Sequence, residues 1–75
     1  MKAKEIQLGV DAENKYYSHK LTNYDIRKEL IDNGFKCIKD EVGDIVDFEF
    51  DGRKLKNIKL KQHENFEVFM EIEIE

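Results

Sequence analysis

The sequence predicts an α+β fold: an antiparallel β-sheet of about four to six strands with one short helix packed on one face. Three observations lead there. Residues 66–75 alternate with period two, Phe66, Val68, Met70, Ile72 and Ile74 against Glu67, Phe69, Glu71, Glu73 and Glu75, which is the pattern of a strand with one buried face. Residues 22–34 carry a helix start signal, an apolar stripe and a stop signal. Asp51-Gly52 separates two strand-like runs and is a strong hairpin signal, because a type I′ turn needs positive φ.

Taken in order, Ile6, Leu8 and Val10 alternate with Gln7 and Gly9 and read as a short strand. Asp11 to Asn14 reads as a polar turn. Tyr17, His19 and Leu21 alternate with Ser18 and Lys20, so a second strand is expected to return along the first. Thr22 is a good N-cap, and Asp25 three positions on completes an approximate capping box, with Leu21 and Ile26 as its hydrophobic staple. Ile26, Leu30 and Ile31 share one helix face, opposite Arg27, Lys28 and Asp32. Gly34 suits the left-handed position after the C-terminus, which gives a helix over about 23–33. About three turns of helix are not stable alone, so the apolar face must dock on a sheet.

Phe35 to Lys39 is a strand candidate, and Val42-Gly43-Asp44 breaks it. Ile45 to Phe50 is a stronger one, with Val46, Phe48 and Phe50 on one face and Asp47 and Glu49 on the other. Leu55 to Lys61 returns with Ile58 and Leu60 as its apolar residues, and Gln62 to Asn65 turns into the last strand. The sum is β(β)α followed by a β-meander, one domain over residues 1–75.

At 75 residues the core is thin, and small domains of this size often draw support from disulfides, a metal or a second chain. Cys37 is the only cysteine, so no internal disulfide forms, and a lone thiol fits a reducing compartment. One Cys with His19 and His63, without paired spacing, does not make a zinc site. A well-packed sheet or a homodimer is the remaining support. The opening Met-Lys-Ala-Lys-Glu-Ile has no apolar signal region, and no run approaches the ~18 apolar residues of a membrane span. The expected location is cytoplasmic, with no membrane partner and no cofactor.

The charge is sorted along the chain. Residues 1–39 hold eight basic and six acidic side chains, and residues 40–75 hold five basic and eleven acidic. Six acids and no base lie between Asp40 and Gly52; Arg53, Lys54, Lys56, Lys59 and Lys61 follow without an acid; five acids and no base run from Glu64 to Glu75. One reading is internal: in a meander the basic strand lies between two acidic ones, and opposite charges across neighbouring strands favour that register by ~0.2–1 kcal/mol per pair. Eleven acids outnumber five bases, so a surplus faces water or a partner. Glu71, Glu73 and Glu75, with Glu67 and Phe69 in line, form a row of anions about 7 Å apart. Such a row imitates the edge of a nucleic-acid backbone and is drawn to Lys/Arg surfaces. Phe69 is either a core residue of a two-sided sheet or an aromatic anchor at an interface.

With the acid clusters Asp40–Asp51 and Glu64–Glu75 on a short α+β domain without catalytic groups, the chain resembles the small acidic phage proteins of host takeover, in particular the DNA mimics. Their kind includes inhibitors of bacterial nucleoid proteins of the HU type, of nucleases and of RNA polymerase. The resemblance covers the second half of the chain, and the Lys-rich segment 53–61 departs from it. It implies a non-enzymatic inhibitor, in the host cytoplasm if phage-encoded, whose acidic face occupies the site of a basic nucleic-acid-binding host protein. The partner-binding candidates are Asp47, Glu49, Glu67, Phe69, Glu71 and Glu73.

No Ser/His/Asp set or phosphate-cradling glycine loop is present, so no catalytic residue is expected, and Cys37 reads as a small buried hydrophobe. Two other functions remain open. One is an interaction or assembly module pairing through an edge strand. The other is a weak nucleic-acid binder through the Lys-rich strand 53–61, with Tyr16 and Tyr17 available for stacking; the net charge of −4 and pI near 5.2 argue against direct nucleic-acid binding.

Overall fold

The computed structural model describes residues 2–75, and side-chain surroundings from Lys4 onward. Strand β1 (Lys2–Gln7) leads into helices α1 (Val10–Tyr17) and α2 (Asn23–Asp32), followed by β2 (Lys36–Lys39), β3 (Ile45–Phe50), β4 (Arg53–Gln62) and β5 (Val68–Ile74). The five strands form one antiparallel sheet in the order β1-β5-β4-β3-β2. The α+β class and the meander of β2 to β5 agree with the sequence reading. The first strand joins beyond the last, so β5 lies inside the sheet between β1 and β4.

Strand β5 supplies the centre of the core. Val68, Met70, Ile72 and Ile74 are buried at 2% exposure or less, and they meet Ile6 and Leu8, Ala12, Leu30, Phe35 and Phe48. Strand β4 changes partner along its length. Arg53 and Lys54 pair with β3, whereas Leu55 to Gln62 pair with β5, with an irregularity between Leu55 and Asn57. The sheet curls at this point, since bulges raise local twist. The curl is deep enough that Lys4 Nζ on β1 lies 3.7 Å from the ring centroid of Phe50 on β3, although β5 and β4 lie between those two strands.

The segment 10–21 differs from expectation. In place of a turn and a returning strand there is helix α1, and the first strand occupies Lys2–Gln7 rather than residues 6–10. Ala12 and Tyr16, one helical turn apart, face the core, while Val10 is exposed. Acidic Asp11 and Glu13 lie in the first turn and Lys15 in the last, which matches the helix dipole. Gly9 has no side chain to cap α1; its N–H instead donates to Glu29 Oε1 of α2 at 3.1 Å. The apparent alternation of Tyr17, His19 and Leu21 is the end of α1 and the link to α2. His19 there takes φ 59° and the Lys20 N–H returns to the Lys15 carbonyl at 2.8 Å, a left-handed helix stop built on histidine.

Two further assignments change. Val46, expected to face inward with Phe48 and Phe50, is 60% exposed, and Ile45 packs on the core instead. The shift in β2–β3 register between Ile38 and Lys39 breaks the alternation there, since a bulge turns the residues beyond it. Phe66, expected in the buried row of the last strand, precedes β5 and is 68% exposed.

The cap and turn chemistry agrees with the sequence. Thr22 and Asp25 form the reciprocal capping box. Leu21 and Ile26 both pack against the core. Gly34 ends α2 at φ 93°, and Asp51 and Gly52 take φ 53° and 77° in the β3–β4 turn. Asp25 does more than cap. It is 8% exposed, and its Oδ1 accepts from Lys15 Nζ of α1 at 2.8 Å while Oδ2 accepts from the N–H and hydroxyl of Thr22. The Lys15 hydrogen bond, then the two Thr22 bonds, hold its carboxyl down from 3.8 to about 2. One carboxylate thus locks the two helices together.

Thr22→Ala is expected to cost about 1 kcal/mol in urea unfolding, the usual penalty for a lost N-cap; an unchanged midpoint would contradict the capping assignment. Because the folded Asp25 carboxyl titrates below its ordinary value, its contribution is present above about pH 4 and is lost as the pH falls toward about 2. Melting curves from about pH 6 to about pH 2 should therefore show wild type above Asp25→Asn at the upper end, with the gap closing across the acid window. A gap that stays constant would exclude the ionised lock.

Candidate functional site

Both helices contribute to one core on one side of the sheet, and among the described residues nothing covers the other side of β1-β5-β4. Directly paired residues of an antiparallel sheet share a face, so the register lays out this bare face as three rows. Gln7, Phe69 and Lys61 form the first, Glu5, Glu71 and Lys59 the second, and Glu73 and Asn57 the third. Glu71 and Glu73 are 42% and 38% exposed. Of the carboxylate row expected on the last strand, Glu71 and Glu73 lie in β5 and run down the middle of this face, whereas Glu75 lies beyond the end of the strand.

Much of the charge is matched across strands. Lys61 Nζ lies 3.7 Å from Glu71 Oε2, and Lys56 Nζ lies 3.6 Å from Glu73 Oε2. Surface pairs of this length contribute about 0–1 kcal/mol each. Glu49 on β3 stands between Lys36 of β2 and Lys54 of β4, and Asp47 accepts from the Phe48 N–H at 2.8 Å. The basic strand does lie between two acidic ones, so the internal account of charge sorting explains β3, β4 and part of β5.

It does not explain the β1 side. Glu5 lies directly opposite Glu71, a like-charge pairing that disfavours the sheet. His63 folds over this end of the face. Its ring centroid is 4.2 Å from that of Phe69, and Nε2 approaches Glu5 Oε2 at 3.3 Å, an ion pair only when the imidazole is protonated. Glu67 is held by neutral donors, Gln7 Nε2 and Asn65 Nδ2, each at 2.6 Å. Amide donors hold a carboxylate in place without cancelling its charge. Glu5, Glu67, Glu71 and Glu73 therefore gather on one sheet surface around the half-buried Phe69, whereas Asp47 and Glu49 lie apart on β3, Asp47 opposite Ile38 and Glu49 between two lysines.

Glu5 and His63 were missed as site residues in the sequence. The polar phase of the first strand, Glu5 and Gln7 against Ile6 and Leu8, was visible; that β1 pairs with β5 was not. Cys37, expected to be buried, is half-buried, opposite Phe48 in the sheet, and packs against the core. His19 is an exposed helix-stop residue. Among the described residues no three His, Cys, Asp or Glu side chains gather to hold a metal ion, and no helix is long and apolar enough to cross a membrane. No family model, curated protein or solved structure matches this chain.

Glu5→Gln is expected to raise stability slightly, by about 0.2–1 kcal/mol, because it removes a like-charge cross-strand pair. Urea denaturation at low salt checks this. A loss of stability of that size would mean that the His63 contact, not the repulsion, dominates at Glu5.

Proposed function

We propose that this is a non-enzymatic binding protein whose bare acidic face, carrying Glu5, Glu67, Glu71 and Glu73 with Phe69 among them, occupies the basic nucleic-acid-binding surface of a partner protein. The observation that carries the reading is Glu5 set opposite Glu71. A sheet selected only for its own register would place a neutral or basic residue there, whereas a surface for a basic partner gains from concentrated negative charge. This is the DNA-mimic form of inhibition, acting in the host cytoplasm on a nucleoid-associated protein of the HU kind. Asp47 and Glu49 serve the sheet in this reading.

Edge-strand assembly is less well supported. In the two face-preserving antiparallel registers of fullest overlap, β1 of one copy would set Glu5 against Glu5 or Lys4 against Lys4 in the other, and like charges protect an edge from self-pairing. Direct nucleic-acid binding through β4 is disfavoured as well, because Lys56 and Lys61 already pair with glutamates.

The test is displacement of a fluorescent DNA duplex from a purified bacterial HU-type protein, read by anisotropy. Wild type should displace the duplex, less effectively as salt rises, and the double variant Glu71→Lys, Glu73→Lys should be weaker by about tenfold or more with an unchanged far-UV CD spectrum. No displacement by wild type, or displacement indifferent to the double reversal, overturns the proposal. A shift of the duplex by this protein alone would favour the nucleic-acid-binding reading.

A further inference from the structure

One residue departs from local rules in a way the fold does not use. Phe66 ends the three-residue turn 64–66, which His63 and Glu67 close within the β4–β5 connection. The His63 N–H donates to the Glu67 carbonyl and the Phe66 N–H to the His63 carbonyl, both at 2.9 Å. Its φ of 64° is the left-handed conformation in which such loops favour glycine, and a bulky residue there is an outlier. Of the five phenylalanines, Phe66 alone is exposed, at 68%. Single exposed apolar residues are ordinary. An aromatic that is both strained and exposed has two local costs, and such outliers cluster at binding sites.

The surrounding contacts engage the backbone at this position, not the ring. Tyr17 on α1 donates its hydroxyl to the Phe66 carbonyl at 2.5 Å, and any residue supplies that acceptor. Asn65 braces the next position, its Oδ1 accepting from the Glu67 N–H at 3.2 Å and its Nδ2 donating to Glu67 Oε1. The loop therefore fixes the backbone from which the ring projects, immediately before Glu67 in the chain.

We propose that Phe66 is the aromatic anchor of the acidic surface, entering an apolar pocket rimmed by basic residues on the partner protein. The inference rests on the binding function proposed above and refines it: the buried aromatic contact passes from Phe69, which lies under the His63 ring, to Phe66. Charge complementarity selects the occupant, since five acids and no base lie from Glu64 to the end of the chain. An exposed aromatic beside carboxylates divides the work of binding, with charge steering the approach and the ring supplying contact area once buried.

The experiment uses Phe66→Gly and Phe66→Asn in the same DNA-displacement assay with the HU-type protein, together with thermal melting. Glycine relieves the left-handed strain, and asparagine tolerates it. The glycine variant should melt no lower than wild type, and about 4 °C higher if the strain is fully released. Both variants should lose at least about tenfold in displacement. Displacement by both at wild-type strength, while the Glu71, Glu73 reversal fails to displace, overturns the anchor and leaves the acidic-face reading intact. Melting of the glycine variant below wild type makes the ring part of the fold and overturns the anchor. If wild type displaces no duplex, the acidic-face reading fails and the anchor with it.

Discussion

Everything in this fold depends on β5 lying inside the sheet with its apolar side wholly buried. Val68, Met70, Ile72 and Ile74 are the residues on which β1, β4 and both helices converge. Among the described residues two short helices cover a five-stranded sheet, and they make one layer of cover on one of its faces; the least extent is 16 Å. A single-layer sheet leaves its second face in water, and that face must be polar. The alternation of the last strand is the direct result: each inward hydrophobe is followed by an outward carboxylate or Phe69.

That alternation, together with the caps and the turns, made most of the fold legible in the sequence. Thr22 with Asp25, Gly34, and Asp51 with Gly52 specify their geometries through local hydrogen bonds or through φ, and neither depends on distant residues. Helix α1 was not legible for the complementary reason. Its apolar face is Ala12 and Tyr16 alone, it has no capping side chain at Gly9, and its first turn is tied down by Glu29 from another helix. Two residues make a weak helical period, and Tyr17, His19 and Leu21 imitated a strand more strongly. Val46 faces outward because it is itself the extra residue of a bulge in β3, opposite the Ile38–Lys39 step of β2, and nothing in the alternation of residues 45–50 marks that bulge. The β1–β5 pairing is likewise a long-range fact, and it alone turns Glu5 and the last-strand glutamates into one surface.

Sorted charge along the chain therefore has two physical origins. Between β3, β4 and β5 it is cross-strand neutralisation, with Glu49 between Lys36 and Lys54, and Lys61 and Lys56 beside Glu71 and Glu73. These exposed pairs add little stability each, yet together they make a shifted β4 register costly, because a slip of one residue would turn the lysine row inward. On the β1 side the same sheet collects acid against acid. Register alone accounts for the first arrangement and is weakened by the second.

A small domain with a thin core has little stability to spare, so unfavourable local choices in it are informative. Two stand out here. Glu5 faces Glu71 where a neutral or basic residue would strengthen the sheet, and Phe66 occupies a left-handed position where glycine would relax the loop. They differ in chemistry, one electrostatic and one conformational, and they arise in different elements. Both nevertheless lie close to the carboxylate row, since Phe66 immediately precedes Glu67, whose carboxylate is held by Gln7 of β1. Where sequence, packing and turn chemistry agree elsewhere in a chain, departures that converge on one surface are expected at a site of function. The bare face of β1-β5-β4 carries the like-charge pair, and the loop at its end carries the strained residue.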